Sequence, residues 1–141
     1  MLRNLVYEVL HSAMKMQPAV RAEKPGINAS QRIAGLFLEL LERQFPIEDP
    51  RQRFELRPAS DFAAQLAIHV NHLNKALRET TQKSTSRIIT ERLLQEARIL
   101  LKHSGWNVSE IAYALGFKEV THFNNFFKKN LSITPSRFRL T

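Results

Sequence analysis

The sequence predicts an all-α protein built round a two-helix unit that occurs twice. Three observations predict it. Apolar residues recur at three- and four-residue steps through most of the 141 residues. No stretch shows the two-residue alternation of a half-buried strand. A segment beginning near residue 62 returns, position by position, near residue 111, which is the mark of a duplicated supersecondary unit.

The elements follow in order from periodicity and end signals. Leu2, Leu5, Val6, Val9, Leu10 and Ala13 form one stripe, giving an amphipathic helix over about 2–16. "QPAVRAEKPG" reads as a loop. A second helix is expected from Asn28, an N-cap with Gln31 three residues on, to Pro46. Ile33, Leu36, Phe37, Leu40 and Leu41 form its apolar side. "PIEDPRQRFELRP", with three prolines and mixed charge, reads as a linker, and Pro58 is placed to open the next helix. Helices are then expected over about 59–66 and 70–80. A longer one covers about 85–103, with Ile88, Ile89, Leu93, Ala97, Leu100 and Leu101 inward and Gly105 just past its end. Asn107 and Glu110 have capping-box spacing. Further helices are expected over about 119–130 and, briefly, after Thr134-Pro135.

Composition narrows the function classes. The net charge is +8 and the pI about 10.3. Residues 60–141 carry 12 Lys/Arg against 6 Asp/Glu, and residues 1–59 carry 9 against 7. The basic C-terminal half points to a polyanionic partner. There is no Cys, hence no disulfide, thiolate metal site or Cys nucleophile, which fits a cytoplasmic protein. No apolar run reaches the roughly 18 residues of a membrane span. The N-terminus, interrupted by Glu8, does not read as a signal peptide. With four glycines and no glycine-rich loop, a nucleotide site is not expected. Ser109 and Tyr113 have no base arranged near them in sequence, so no enzyme activity is expected. The five histidines lack metal-ligand spacing, so neither metal nor cofactor is expected. His69 is read as the start of a helix, His11 and His103 as packing or surface residues, and Trp106 as a core anchor.

The repeat carries the functional reading. "FAAQLAIHVNHLNKALRE" (62–79) matches "IAYALGFKEVTHFNNFFKK" (111–129). Ala63 pairs with Ala112 and Leu66 with Leu115. After one extra residue in the second turn, His72 pairs with His122, Leu73 with Phe123, Asn74 with Asn124 and Leu77 with Phe127. The register persists to Arg87 and Arg137. On a wheel of 100° per residue, Leu73, Ala76 and Leu77 share one face of the first copy's second helix, with Asn71, Asn74, Lys75 and Arg78 opposite. In the second copy Phe123, Phe126 and Phe127 point inward, and Thr121, Asn124, Asn125 and Lys128 outward. These outward types suit a DNA major groove. Asn pairs bidentately with adenine, Lys and Arg pair with guanine, and the Thr methyl meets the thymine methyl. Arg78, Arg87, Asn124, Lys128, Lys129 and Arg137 are placed as phosphate contacts, which set register and affinity.

"NVSEIAYALGFKEVTHFNNFFKKNLSITPSRFR" (107–139) resembles the second helix-turn-helix of the AraC/XylS family of bacterial transcription regulators. Ile111-Ala112, Gly116-Phe117, Phe123, Phe127-Lys128, Thr134-Pro135 and Arg139 stand at the family spacing. "DFAAQLAIHVNHLNKALRETTQKSTSRIITERLLQEARILL" (61–101) resembles the first motif and the connecting helix. The resemblance covers about 59–141. It implies two helix-turn-helix subdomains (about 59–80 and 107–130) joined by the long connecting helix (about 85–103). Base-reading positions then fall on Asn71, His72, Asn74 and Lys75, and on Val120, Thr121, His122 and Asn125. The implied partner is double-stranded DNA, read in two successive major-groove segments about 34 Å apart. RNA polymerase is a further candidate partner. Ala67, Gln82 and Ser132 depart from the family by standing where glycine is usual.

Residues 1–58 are expected to be helical linker segments of a longer or a short stand-alone regulator. Their apolar stripe is read as packing within the chain, with pairing to a second copy as the other option. Two other functions stay open at this point: a helical protein-interaction or dimerisation module, and a sequence-blind DNA-coating protein.

Overall fold

A computed structural model describes residues 25–141, with side chains from residue 29 onward. The helix expected over 2–16 and His11 lie outside the described residues. Seven helices are described: α1 (Pro25–Glu42), α2 (Ala59–Gln65), α3 (Val70–Thr81), α4 (Thr85–His103), α5 (Val108–Ala114), α6 (Val120–Leu131) and α7 (Pro135–Leu140). No strand occurs among the described residues. The helix–turn–helix pairs are α2–α3 and α5–α6. Between them runs α4, and α1 lies against α3.

The described part of helix α1 runs from Pro25, ahead of the expected start at Asn28. It ends at Glu42, well short of Pro46. The residue before a proline is driven out of the α region, and the chain closes early through short-range bonds from Gln44 N to Leu41 O (3.2 Å) and Phe45 N to Glu42 O (3.0 Å). Its buried face is Ala34, Phe37 and Leu41, whereas Leu36 is 45% exposed. The apolar side is therefore narrower than expected. Phe37 meets Phe62 of α2 edge-on, 4.9 Å between ring centroids.

The prolines of residues 46–58 suggest a loose connector, yet the structure packs residues 43–57 as a strap. Phe45, Ile47 and Phe54 are buried, with the two phenyl rings 5.4 Å apart. Gln44 fastens the strap to itself. Its amide nitrogen donates to Leu56 O (3.1 Å), and its amide oxygen accepts from the N–H groups of Glu55 (2.9 Å) and Leu56 (3.0 Å). The strap crosses α4 at an ionic cluster. Arg92 Nε donates to Glu42 (2.6 Å), Arg92 Nη1 donates to Glu96 (3.2 Å), and Glu96 also accepts from Ile47 N–H (2.9 Å). The guanidinium lies 4.0 Å from the Phe45 ring centroid. Buried charges persist only when paired and hydrogen-bonded, and both conditions hold here.

Helix α4 buries Ile89, Leu93, Leu94, Ala97, Leu100 and Leu101. Ile88, expected inward, is half-buried. Helix α4 ends on Ser104 in an extended conformation, and Gly105 is not among the positive-φ residues. Gly105 is therefore not the left-handed cap that its position suggested. Around α6 a chain of rings fills the second subdomain. Phe117 to Phe123 is 5.4 Å, Phe123 to Phe127 is 5.9 Å, and Phe127 to Phe138 is 5.5 Å. Phe126, expected fully inward, is half-buried and lies 5.2 Å from Phe117. Helix α7 is tied back to α4 by Arg139 Nε donating to Leu101 O at 2.8 Å.

Candidate nucleic-acid interface

The two helix–turn–helix units repeat down to single hydrogen bonds. In the first turn Leu66 N bonds Phe62 O, Ala67 N bonds Ala64 O, and Ile68 N bonds Ala63 O. In the second, Leu115 N bonds Ile111 O, Gly116 N bonds Tyr113 O, and Phe117 N bonds Ala112 O. Ala67 (φ 56°) and Gly116 (φ 91°) share the left-handed conformation that makes the turn. The C-caps of α3 and α6, Gln82 (φ 61°) and Ser132 (φ 62°), also match. A Cβ at these three non-glycine positions is a steric cost that the fold absorbs without changing the shape of the turns. The next helices start alike. Ser84 Oγ accepts from Arg87 N (3.1 Å), and Thr134 Oγ1 accepts from Arg137 N (3.3 Å).

The entry to each recognition helix differs. His69 caps α3, its Nδ1 accepting from Asn71 N–H at 3.1 Å. At the matching place Glu119 makes no side-chain cap bond. Its carboxylate lies 3.8 Å from His122 Nε2, an ion pair only when His122 is protonated. The expected capping box of α5 is present, with Glu110 N–H donating to Asn107 (2.8 Å) and Asn107 N–H to Glu110 (2.9 Å).

The inward faces are closed. Leu73, Leu77, Phe123 and Phe127 are all 0% exposed. On the outward faces Asn71, His72, Lys75 and Arg78 of α3 are exposed, as are Thr121, His122, Asn125, Lys128 and Lys129 of α6. Three site residues lie deeper. Val120 is half-buried and packs on the core. Asn124 is half-buried. Asn74 is half-buried too, and its amide oxygen accepts from Thr85 Oγ1 at 2.5 Å. Bidentate reading of adenine needs both the oxygen and the nitrogen of the amide, and in Asn74 the oxygen is already engaged. This tie was not legible in the sequence. Arg87 and Arg137 are exposed in the first turns of α4 and α7. Arg87 bonds Glu91 at 3.0 Å, and Lys83 bonds the same carboxylate at 2.8 Å. Lys83 first, then Arg87, holds the Glu91 carboxyl below its usual range. Lys118, which the wheel did not single out, is exposed in the turn that leads into α6.

A family model described as "Helix-turn-helix domain" matches residues 62–141, from inside α2 to the end of the chain. The chain belongs to the AraC/XylS family of transcription regulators. One relative is "HTH-type transcriptional activator RhaS" of Escherichia coli, 31% identical over 77 residues, covering 55% of this chain and 28% of that protein. This chain therefore spans little more than a quarter of that relative's length. Among solved structures, the C-terminal domain of the response regulator yesN from Fusobacterium nucleatum superposes with a TM-score of 0.59 at 23% identity, covering 79% of this chain and 98% of that one. The DNA-binding domain of AdpA, solved in complex with a target DNA, gives a TM-score of 0.60 at 19% identity, covering 77% and 89%. Both shares exceed what residues 62–141 alone supply, so the fold shared with these structures extends beyond the matched domain.

Among the described residues no group of three or more His, Asp or Glu side chains is placed to hold a metal ion. No described helix is long and apolar enough to cross a membrane.

Proposed function

We propose that this chain is the DNA-reading part of a transcription regulator, with α3 and α6 entering two adjacent major-groove segments of one duplex. The observation that carries this reading is the repeated outward face. Two helices set behind hydrogen-bond-identical turns each expose amide and basic groups and bury the apolar residues opposite them, Leu73 and Leu77 in one and Phe123 and Phe127 in the other. Asn71, Lys75, Thr121 and Asn125 are the base readers in this proposal, with His72 and His122 at the groove edge. Arg78, Arg87, Asn124, Lys128, Lys129 and Arg137 hold phosphates. Val120 and Asn74 keep the helices in place, the latter through Thr85.

Residues 29–58 belong to this unit in our reading, because α1 completes the core over Phe62 and the strap is bonded to α4 and to the turn between α5 and α6. The chain acts without catalysis of its own, in the compartment that holds the DNA. Contacts with RNA polymerase and pairing with a second copy belong to surfaces outside the two recognition helices. Leu36 and Leu38, exposed on α1, are where pairing would be sought.

The test is selection of bound sites from random duplex DNA with the full chain, followed by salt titration. A bipartite preferred site is expected, with log affinity falling linearly against log salt. Asn125→Ala and Asn71→Ala each remove the preference at one base position of one half-site, at a cost of about 1–3 kcal/mol. Salt-dependent binding with no preferred site would mean sequence-blind coating. Unchanged affinity and preference in both variants would favour the interaction-module reading.

A further inference from the structure

The strap touches the second motif where the chain turns from α5 into α6. Phe54 N–H donates to Ala114 O at 2.8 Å, satisfying one of the carbonyls that a helix C-terminus leaves without a partner. Arg57 Nη1 donates to Gly116 O at 3.3 Å, and its guanidinium lies 3.9 Å from the Phe117 ring centroid. Gly116 sits so close that a Cβ there would lie 2.9 Å from Phe54 O. Residues 114, 116 and 117 lie at the turn that leads the chain from α5 into α6, with Gly116 at φ 91°. The other end of the strap is anchored on α4 by Ile47 N–H to Glu96, beside the Glu42–Arg92 pair that ties α1 to α4.

We propose that the strap is a positioning element for DNA reading, in which Arg57 and Phe54 fix the tilt of α6 relative to α3 and so set the half-site spacing the chain accepts. The inference rests on the DNA-binding reading above. A 12-residue helix such as α6 is about 18 Å long, so a tilt of about 10° at its start displaces its far end by about 3 Å. That displacement exceeds the tolerance of a base-edge hydrogen bond. Two recognition helices on one rigid body gain affinity by engaging together, and they lose it when the geometry no longer spans both sites. Arg57 is half-buried, stacked on one aromatic ring and bonded to one carbonyl. These contacts suit an architectural role better than a phosphate contact, which needs an exposed cation.

The experiment compares the full wild-type chain with Arg57→Lys and Arg57→Met, with helical content checked by circular dichroism. Each protein is taken through site selection from random duplexes and through a salt titration on the wild-type site. Both variants are expected to keep the base preferences of the first half-site. Both should lose about tenfold in affinity for the wild-type site, accept a shifted or broader spacing, and leave the salt slope unchanged. Lysine keeps the charge but not the planar stack, so it does not rescue. The proposal is overturned if Arg57→Lys restores affinity while Arg57→Met lowers the salt slope by about one phosphate contact. It is equally overturned if both variants retain the wild-type site and spacing and differ only in thermal stability. A wild-type chain that selects no site would instead sink the DNA-binding reading itself, and this inference with it.

Discussion

Glycine at three left-handed positions should stabilise the chain, although glycine usually weakens a fold. Ala67, Gln82 and Ser132 hold φ of 56°, 61° and 62°. The left-handed conformation costs a residue with a Cβ about 1–2 kcal/mol. Introducing glycine returns that cost but loosens the unfolded chain, which opposes it by about 0.4–1 kcal/mol. The net expectation is a gain of about 0.5–1 kcal/mol for Ala67→Gly and for Ser132→Gly. Gln82→Gly should gain less, because the Gln82 amide donates to Glu79 O at 3.3 Å from an exposed position. The three sites lie in separate turns, so their effects should add. The triple variant should be about 2 kcal/mol more stable and melt about 5 °C higher. Ala64→Gly is the control. Ala64 is exposed inside α2, where the same exchange should cost about 1 kcal/mol. Urea unfolding followed by far-UV circular dichroism reads all five variants against the wild type. A loss of stability in Ala67→Gly or Ser132→Gly, or the same sign at positions 64 and 67, would refute the reasoning.

Other perturbations follow from the same geometry. Arg92→Met leaves Glu96, 1% exposed, without its guanidinium, and denaturant unfolding should show a loss of about 3 kcal/mol. Glu96→Gln keeps an acceptor for Ile47 N–H and should cost less. Gly116→Ala combines φ of +91° with a 2.9 Å approach to Phe54 O. It should destabilise by about 2 kcal/mol or more in the same assay, the opposite sign to the glycine series. The Asp49 carboxyl, bonded by the Arg51 side chain and backbone, is held down to about 2. A depressed carboxyl pKa contributes stability above its unfolded value and loses it as pH falls through the folded one. NMR titration should place the Asp49 midpoint near 2, rising toward the ordinary carboxylate range in Arg51→Ala, which loses the side-chain bond but keeps the backbone N–H.

The helices after residue 58 were legible because their signals are local. Asn107 and Thr134 cap helices where their side chains sit next to the free N–H groups they satisfy. Leu73, Leu77, Phe123 and Phe127 mark the inner faces by spacing alone. The outward positions on α3 and α6 were legible for the same reason; Val120 is half-buried instead, and Asn74 is the other exception. Its engagement by Thr85 joins residues 11 positions apart across a turn, and no helical wheel contains it. Leu36 misled because, at the edge of a helical stripe, burial depends on the angle at which the neighbouring helix crosses.

Taken alone, the sequence determined the all-α class, the duplicated two-helix unit, the polar ridge on each second helix and the family to which they belong. Those features are written in periods of three and four residues and in an offset of about 50, so they need no knowledge of what packs on what. Only the tertiary structure decided that residues 43–57 are a strap. Phe54 meets Ala114 and Arg57 meets Gly116 across some 60 residues of chain. Prolines and scattered charges look the same whether a segment is solvated or pinned. The same holds for Arg92 and Glu96, whose spacing is that of an ordinary exposed pair until Phe45 and Ile47 fold over them and exclude water.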